Sequence, residues 1–145
     1  MVIQRIQSLY LLLASILMIV FAFMPVIELR SDAGVFFIGA LPLGEISAVS
    51  YVLLCLDVLI SVLSVIVIFM YKNLKQQIKV TNVLLLLVVA LLVTIGVMMV
   101  TQHGHAVAIM QWPIAFPFVS MVLVMMASKG MKHDKKLLSD SERIR

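Results

Sequence analysis

Asp57 is the residue whose position most invites chemistry. It is the only charged residue in the run Ile46–Tyr71, twelve residues from Glu45 and fifteen from Lys72. In a helix rising 1.5 Å per residue these separations are about 18 Å and about 22 Å, close to the middle of a membrane span. A carboxylate at that depth costs about 3 kcal/mol on insertion scales, and such residues face a protein interior or water and often mark ion or proton paths. No Lys, Arg or His occurs in any long apolar run of the chain. With no counter-charge at hand, the neutral acid, which can donate a hydrogen bond, costs least. Ser50, Asp57, Ser61 and Ser64 follow steps of seven, four and three residues, which puts all four on one stripe of a helix. Thr94 lies fifteen residues from Lys79, the same height as Asp57 above Lys72, so an Asp57–Thr94 hydrogen bond is expected. The stripe reads in two ways. It is a packing seam, in which small polar residues let helices approach with hydrogen bonds of about 0.6 kcal/mol each, or a proton- or ion-handling site. The seam is preferred.

His103-Gly104-His105 is the one metal-like cluster, with the soft sulfurs of Met98, Met99 and Met110 nearby in sequence. Imidazole pairs suit copper or zinc and thioethers suit Cu(I). Eleven methionines in so apolar a chain are chiefly packing material, however. No metal site is expected, and His103 and His105 stand as weak candidates only. Glu28, Asp32 and Glu45 share one segment, with no rigid frame predicted to hold them as an acid pair. Cys55 is the single cysteine, which excludes an intrachain disulfide and a cysteine-based metal cluster. A phosphate-binding glycine loop, a G-x-S-x-G elbow and an H-E-x-x-H pair are all absent from the sequence.

The elements that must position these residues follow from composition. Of 145 residues 63% are hydrophobic and 12% charged, about half the charged share of a soluble domain. That leaves too little polar surface to cover a core, which excludes an ordinary water-soluble enzyme. Four stretches reach the roughly 20 apolar residues a membrane span needs: about 9–27, 46–71, 80–100 and 109–128. Strands are not expected, because the runs are continuously apolar and a sheet in lipid must close into a barrel. The first run is too long for a signal-peptide core and is not followed by a small-x-small cleavage pattern, so a retained anchor is expected. Pro25 stops or bends the first span, Pro113 and Pro117 shape the start of the fourth, and Trp112, Tyr71 and Tyr10 read as interfacial anchors. The outer segment 28–45 is too apolar to float in water and is expected to lie on the membrane or cap the helices.

Ten of the eleven Lys/Arg fall on one side of this threading, with Arg30 alone on the other. The positive-inside rule makes the ten-cation side cytoplasmic, with both termini there, in the inner (plasma) membrane. The net charge of +4 is thus explained by topology, and no nucleic-acid partner is expected. Residues 1–128 form the four-span domain and 129–145 a mixed-charge cytoplasmic tail. Gln4, Arg5, Gln7 and Ser8 make a polar collar at the inner mouth of the first span. Collar and tail (Asp140, Glu142, Arg143, Arg145) are expected to dock together or on a shared partner, with simple headgroup anchoring as the plainer alternative.

The opening Ile3-Gln4-Arg5-Ile6-Gln7-Ser8-Leu9-Tyr10-Leu11-Leu12-Leu13-Ala14 resembles the start of a family of small four-span membrane proteins from Bacteroidetes, a domain-of-unknown-function family. Lys136-Leu137-Leu138 and the terminal Glu142-Arg143-Ile144-Arg145 resemble that family's ending, with Lys135 and Ser139 departing from its acid and Arg. The resemblance implies a fold and a membrane and supplies no activity.

The sequence therefore predicts an all-α, four-helix transmembrane bundle, antiparallel and up-down, with both ends inside. Its partners are the lipid bilayer and either another membrane protein or further copies of itself, and no cofactor is expected. A non-catalytic accessory or scaffold subunit of an inner-membrane assembly is the leading reading. A small proton-coupled transporter or channel component using Asp57 is the alternative. A lipid-directed enzyme is a distant third, for want of a nucleophile–base pair.

Overall fold

The structure is a computed structural model that describes residues 2–39, 48–102 and 107–144, with side chains described for 5–39, 48–101 and 107–144. It is mostly helical: α1 (Val2–Ala22), α2 (Ala48–Phe69), α3 (Leu74–Gln102) and α4 (Ala115–Arg143), with a short 3-10 turn at Trp112–Ile114. All four helices are long and apolar enough to cross a membrane, as a multi-pass membrane protein requires. A three-stranded sheet is also present, formed by β1 (Pro25–Ser31), β2 (Gly34–Gly39) and β3 (Val107–Met110) in the order β2-β1-β3.

α1 packs most extensively against α4 and α2, and α3 against α2 and α4. Each helix turns a stripe stepped by three, four or seven residues inward: Leu11, Met18 and Phe21 on α1, Leu53 and Ile60 on α2, Leu84, Leu91 and Ile95 on α3, Val124 and Met131 on α4. The opposite faces are also apolar, with Leu9, Leu12 and Ile16, Val58 and Val62, Leu86 and Val93, and Val119 and Val122 all exposed. Helices apolar all round belong in lipid, where burial of oily side chains no longer drives assembly and close packing with hydrogen bonds must. Each neighbouring pair carries such a contact. Ser15 Oγ reaches Ser61 O at 3.4 Å between α1 and α2, and Gln77 Nε2 donates to Val67 O at 3.1 Å between α2 and α3. Ser128 Oγ meets Asn82 Oδ1 at 3.3 Å between α3 and α4, and Ser120 Oγ meets Ala14 O at 3.4 Å between α4 and α1.

The strands correct the all-helical expectation. The first span ends at Ala22 rather than near Ile27, and Pro25-Val26-Ile27 starts a strand. β1 and β2 form a hairpin with Ser31 opposite Gly34, whose φ of +136° suits glycine alone. β1 also pairs antiparallel with β3, Glu28 lying opposite Ile109. Apolar chain outside a helix must still satisfy its backbone N–H and C=O groups, and pairing the two connections does so. Val35-Phe36-Phe37-Ile38 reads as one continuous apolar run, so the alternation that betrays a strand is hidden there.

The fourth helix differs at both ends from the expected span 109–128. Ile109 belongs to β3, and the helix proper starts at Ala115 and continues unbroken to Arg143. The segment beyond Lys129 is thus a helical extension of the span, exposed for most of its length.

Candidate functional site

The α2 stripe is buried as the spacing predicts: Ser50, Asp57, Ser61 and Ser64 all face the packed side of the helix. Two of its hydroxyls satisfy themselves on their own helix, Ser61 Oγ donating to Asp57 O at 3.0 Å and Ser64 Oγ to Ile60 O at 2.7 Å. Mid-helix hydroxyls often bond back to the i−4 carbonyl in this way. Asp57 is 1% exposed, and its Oδ1 is buried with no hydrogen-bond partner among the described residues.

The expected Asp57–Thr94 pair does not form. Thr94 is half-buried and its Oγ1 donates to Ala90 O at 2.9 Å, within α3. Asp57 instead borders a groove of about 530 Å³ between α1 and α2, whose walls include Ser15, Ile19 and Phe23 from α1 and Ser61, Val62 and Val65 from α2. Equal height on two helices does not bring side chains together when rotation aims one of them at a third helix. Ser15 is the site residue the sequence reading missed. It is the only hydroxyl between Tyr10 and Pro25, which was the available signal. The groove is therefore an apolar trough with an acid and two serines on its wall. The Asp57 carboxyl and the Ser15 and Ser61 hydroxyls lie buried in that wall, so the surface the trough presents is almost wholly apolar.

A second polar cluster joins the sheet to the chain before α4. Glu28 is largely buried, accepts from Arg30 Nε at 2.8 Å and receives the Gln111 Nε2 donor on its other oxygen. Residues two apart on a strand share a face, so Glu28 and Arg30 meet once β1 exists. The rigid frame that the sequence did not predict for Glu28 is this sheet. Gln111 N also donates to Val26 O at 2.9 Å, so one glutamine ties β1 at two points. Trp112 stands exposed beside it, edge-on to Phe116 with ring centroids 5.5 Å apart at 73°.

At the opposite end of α1, Gln7 is buried and donates from Nε2 to Asp134 Oδ2 at 2.7 Å. Gly130 makes room for it, since a Cβ there would stand 2.9 Å from Gln7 Nε2. The collar's Gln7 thus meets Asp134, a half-buried residue outside the expected tail set of Asp140, Glu142, Arg143 and Arg145. Arg5, Asp140, Glu142 and Arg143 are exposed, and none of them joins an ion pair among the described residues. The side chain of Gln4, and Glu45, His103, His105 and Arg145, lie outside the described residues. Met98, offered as a soft ligand beside the histidines, is buried in the helical core. No group of three or more His, Cys, Asp or Glu able to hold a metal occurs among the described residues.

Residues 3–144 match the family described as Domain of unknown function (DUF4293). The chain belongs to that family. No curated protein matches it. The family thus covers all four helices and the three strands, and it brings no activity to the α1–α2 groove.

Proposed function

We propose that this chain is a non-catalytic accessory or scaffold subunit of an inner-membrane assembly. In this reading it is an antiparallel, up-down four-helix transmembrane bundle with both termini cytoplasmic, one of the small four-span Bacteroidetes proteins it resembles at its two ends. Two contacts support the threading. Gln7 meets Asp134 at one end of α1, and β1, which follows α1, pairs with β3, which precedes α4, at the other. The cations at Arg5, Lys72–Lys79 and from Lys129 onward then share a face, which the positive-inside rule makes cytoplasmic.

The observation that carries the accessory role is the Asp57 carboxyl oxygen, buried and unpartnered on the wall of an open apolar groove. An unmade hydrogen bond in such a place costs about 1–3 kcal/mol. A partner helix seated in the trough covers the apolar walls, and a donor on it recovers that energy once the Asp57 carboxyl turns outward to meet it. Affinity purification in gentle detergent with mass spectrometry tests this on three forms. The wild-type chain retains a stoichiometric membrane partner, Asp57→Asn retains it too because the amide still hydrogen-bonds, and Asp57→Leu loses at least tenfold. Equal retention by all three would sink the reading.

The second reading, a proton-coupled transporter or channel component, draws on the Ser15 and Ser61 hydroxyls beside Asp57 at mid-span. It predicts a homo-oligomer with no other subunit. In that case Asp57→Asn alone abolishes proton-coupled flux in liposomes while insertion stays normal.

A further inference from the structure

We propose that the end of the molecule bearing the α2–α3 turn holds a phosphate-binding cleft that takes the headgroup of an anionic phospholipid. Lys72 and Lys75, from the turn and the start of α3, and Lys135, from the extension of α4, line one cleft of about 720 Å³. The sequence sets these cations some sixty positions apart, and only the unbroken run of α4 to Arg143 brings the third beside the other two. Glu142 is the one carboxylate on the same wall, leaving an excess of two positive charges. None of the three lysines is held in an ion pair among the described residues, so their charges are free to meet a ligand. Ammonium groups donate to phosphate oxygens in short, charge-assisted hydrogen bonds. α3 begins at Leu74 with no acid in its first turn, which adds the positive end of its dipole at the same place.

Phosphate is the shared chemistry, and its position favours a lipid as the source. Lys75 lies five residues before Val80, where the apolar part of α3 starts, or about 7.5 Å beyond the hydrocarbon edge along the axis. That is headgroup depth. The proposal rests on the membrane reading above. A chain that does not insert never enters a nanodisc, so that failure is seen separately.

The test uses the full chain in nanodiscs of phosphatidylcholine doped with phosphatidylglycerol, with tightly held lipid counted by native mass spectrometry. The wild-type chain retains phosphatidylglycerol over phosphatidylcholine. The triple variant Lys72→Gln/Lys75→Gln/Lys135→Gln loses at least tenfold of that preference. Lys129→Gln/Lys132→Gln/Lys136→Gln, which removes equal charge outside the cleft, stays within twofold of wild type. Glu142→Gln raises retention two- to fivefold, a gain that misfolding cannot imitate. Equal loss in both triple variants overturns the cleft in favour of diffuse surface charge, as does no loss in either. Inorganic phosphate that displaces the bound lipid completely at submillimolar concentration overturns the lipid assignment, whereas failure to displace it at that level supports it.

Discussion

Gln7 shows how much one side chain can decide in a chain of this composition. Buried at the mouth of α1 against Gly130, it gives its amide to Asp134 and ties the first helix to the extension of the last. A hydrogen bond to a charged acceptor contributes about 1.5–3 kcal/mol. Gln7→Ala and Asp134→Ala are each expected to destabilise the chain by about 1–2 kcal/mol in detergent unfolding, and the double variant by less than the sum of the two. Strict additivity would show that the contact carries no coupling. Asp57 is the opposite case, a polar group buried without a partner. Its depth and its stripe are legible in the spacing of Ser50, Asp57, Ser61 and Ser64. Its neighbour is not, because a helix can turn about its axis without changing any local spacing. A rotation that sets Asp57 beside the α1–α2 groove leaves Thr94 to its own backbone.

Among the elements, the helices were readable and the strands were not. An apolar run long enough to span lipid has one low-cost conformation, so four helices follow from the run lengths alone. The sheet depends on pairing Glu28 with Ile109 across some eighty residues of intervening chain, a contact with no local signature. Its tightest point is Gly39, where an added Cβ would come within 2.8 Å of Met24 O and 3.3 Å of Pro25 Cα. Both obstacles are backbone and cannot swing aside. Gly39→Ala is therefore expected to cost about 1–3 kcal/mol, the range for overpacked sites. Hydrogen exchange should quicken at the amides of β1 and β2 while the helices stay protected. Unchanged exchange in β1 would mean that the hairpin does not close there.

For the whole molecule, the threading proposed above agrees with both the charge distribution and the packing. Gln7 with Asp134, and β1 with β3, tie the two ends of α1 to α4 and to the strand before it, and in the proposed threading the cations gather at the Gln7 end. Reporters fused after Ile144 and inserted at Ala33, in the β1–β2 turn, are expected to read cytoplasmic and external respectively. A C-terminal fusion active only outside the cell would reverse the assignment. Because the outer faces of the helices are oily along their length, the chain is also expected to remain with the membrane fraction until detergent is added.

The sequence by itself determined four helices long and apolar enough to span a membrane and the inward stripe of α2, because each depends on composition or on spacing within one helix. Tertiary structure alone decided that Asp57 faces α1, that two distant connections pair as a sheet, that Gln7 finds Asp134, and that Lys135 joins Lys72 and Lys75. Each of these joins residues that are remote along the chain. The helix rotations and packing that bring them together are set by all the contacts at once and are written in no local stretch of residues.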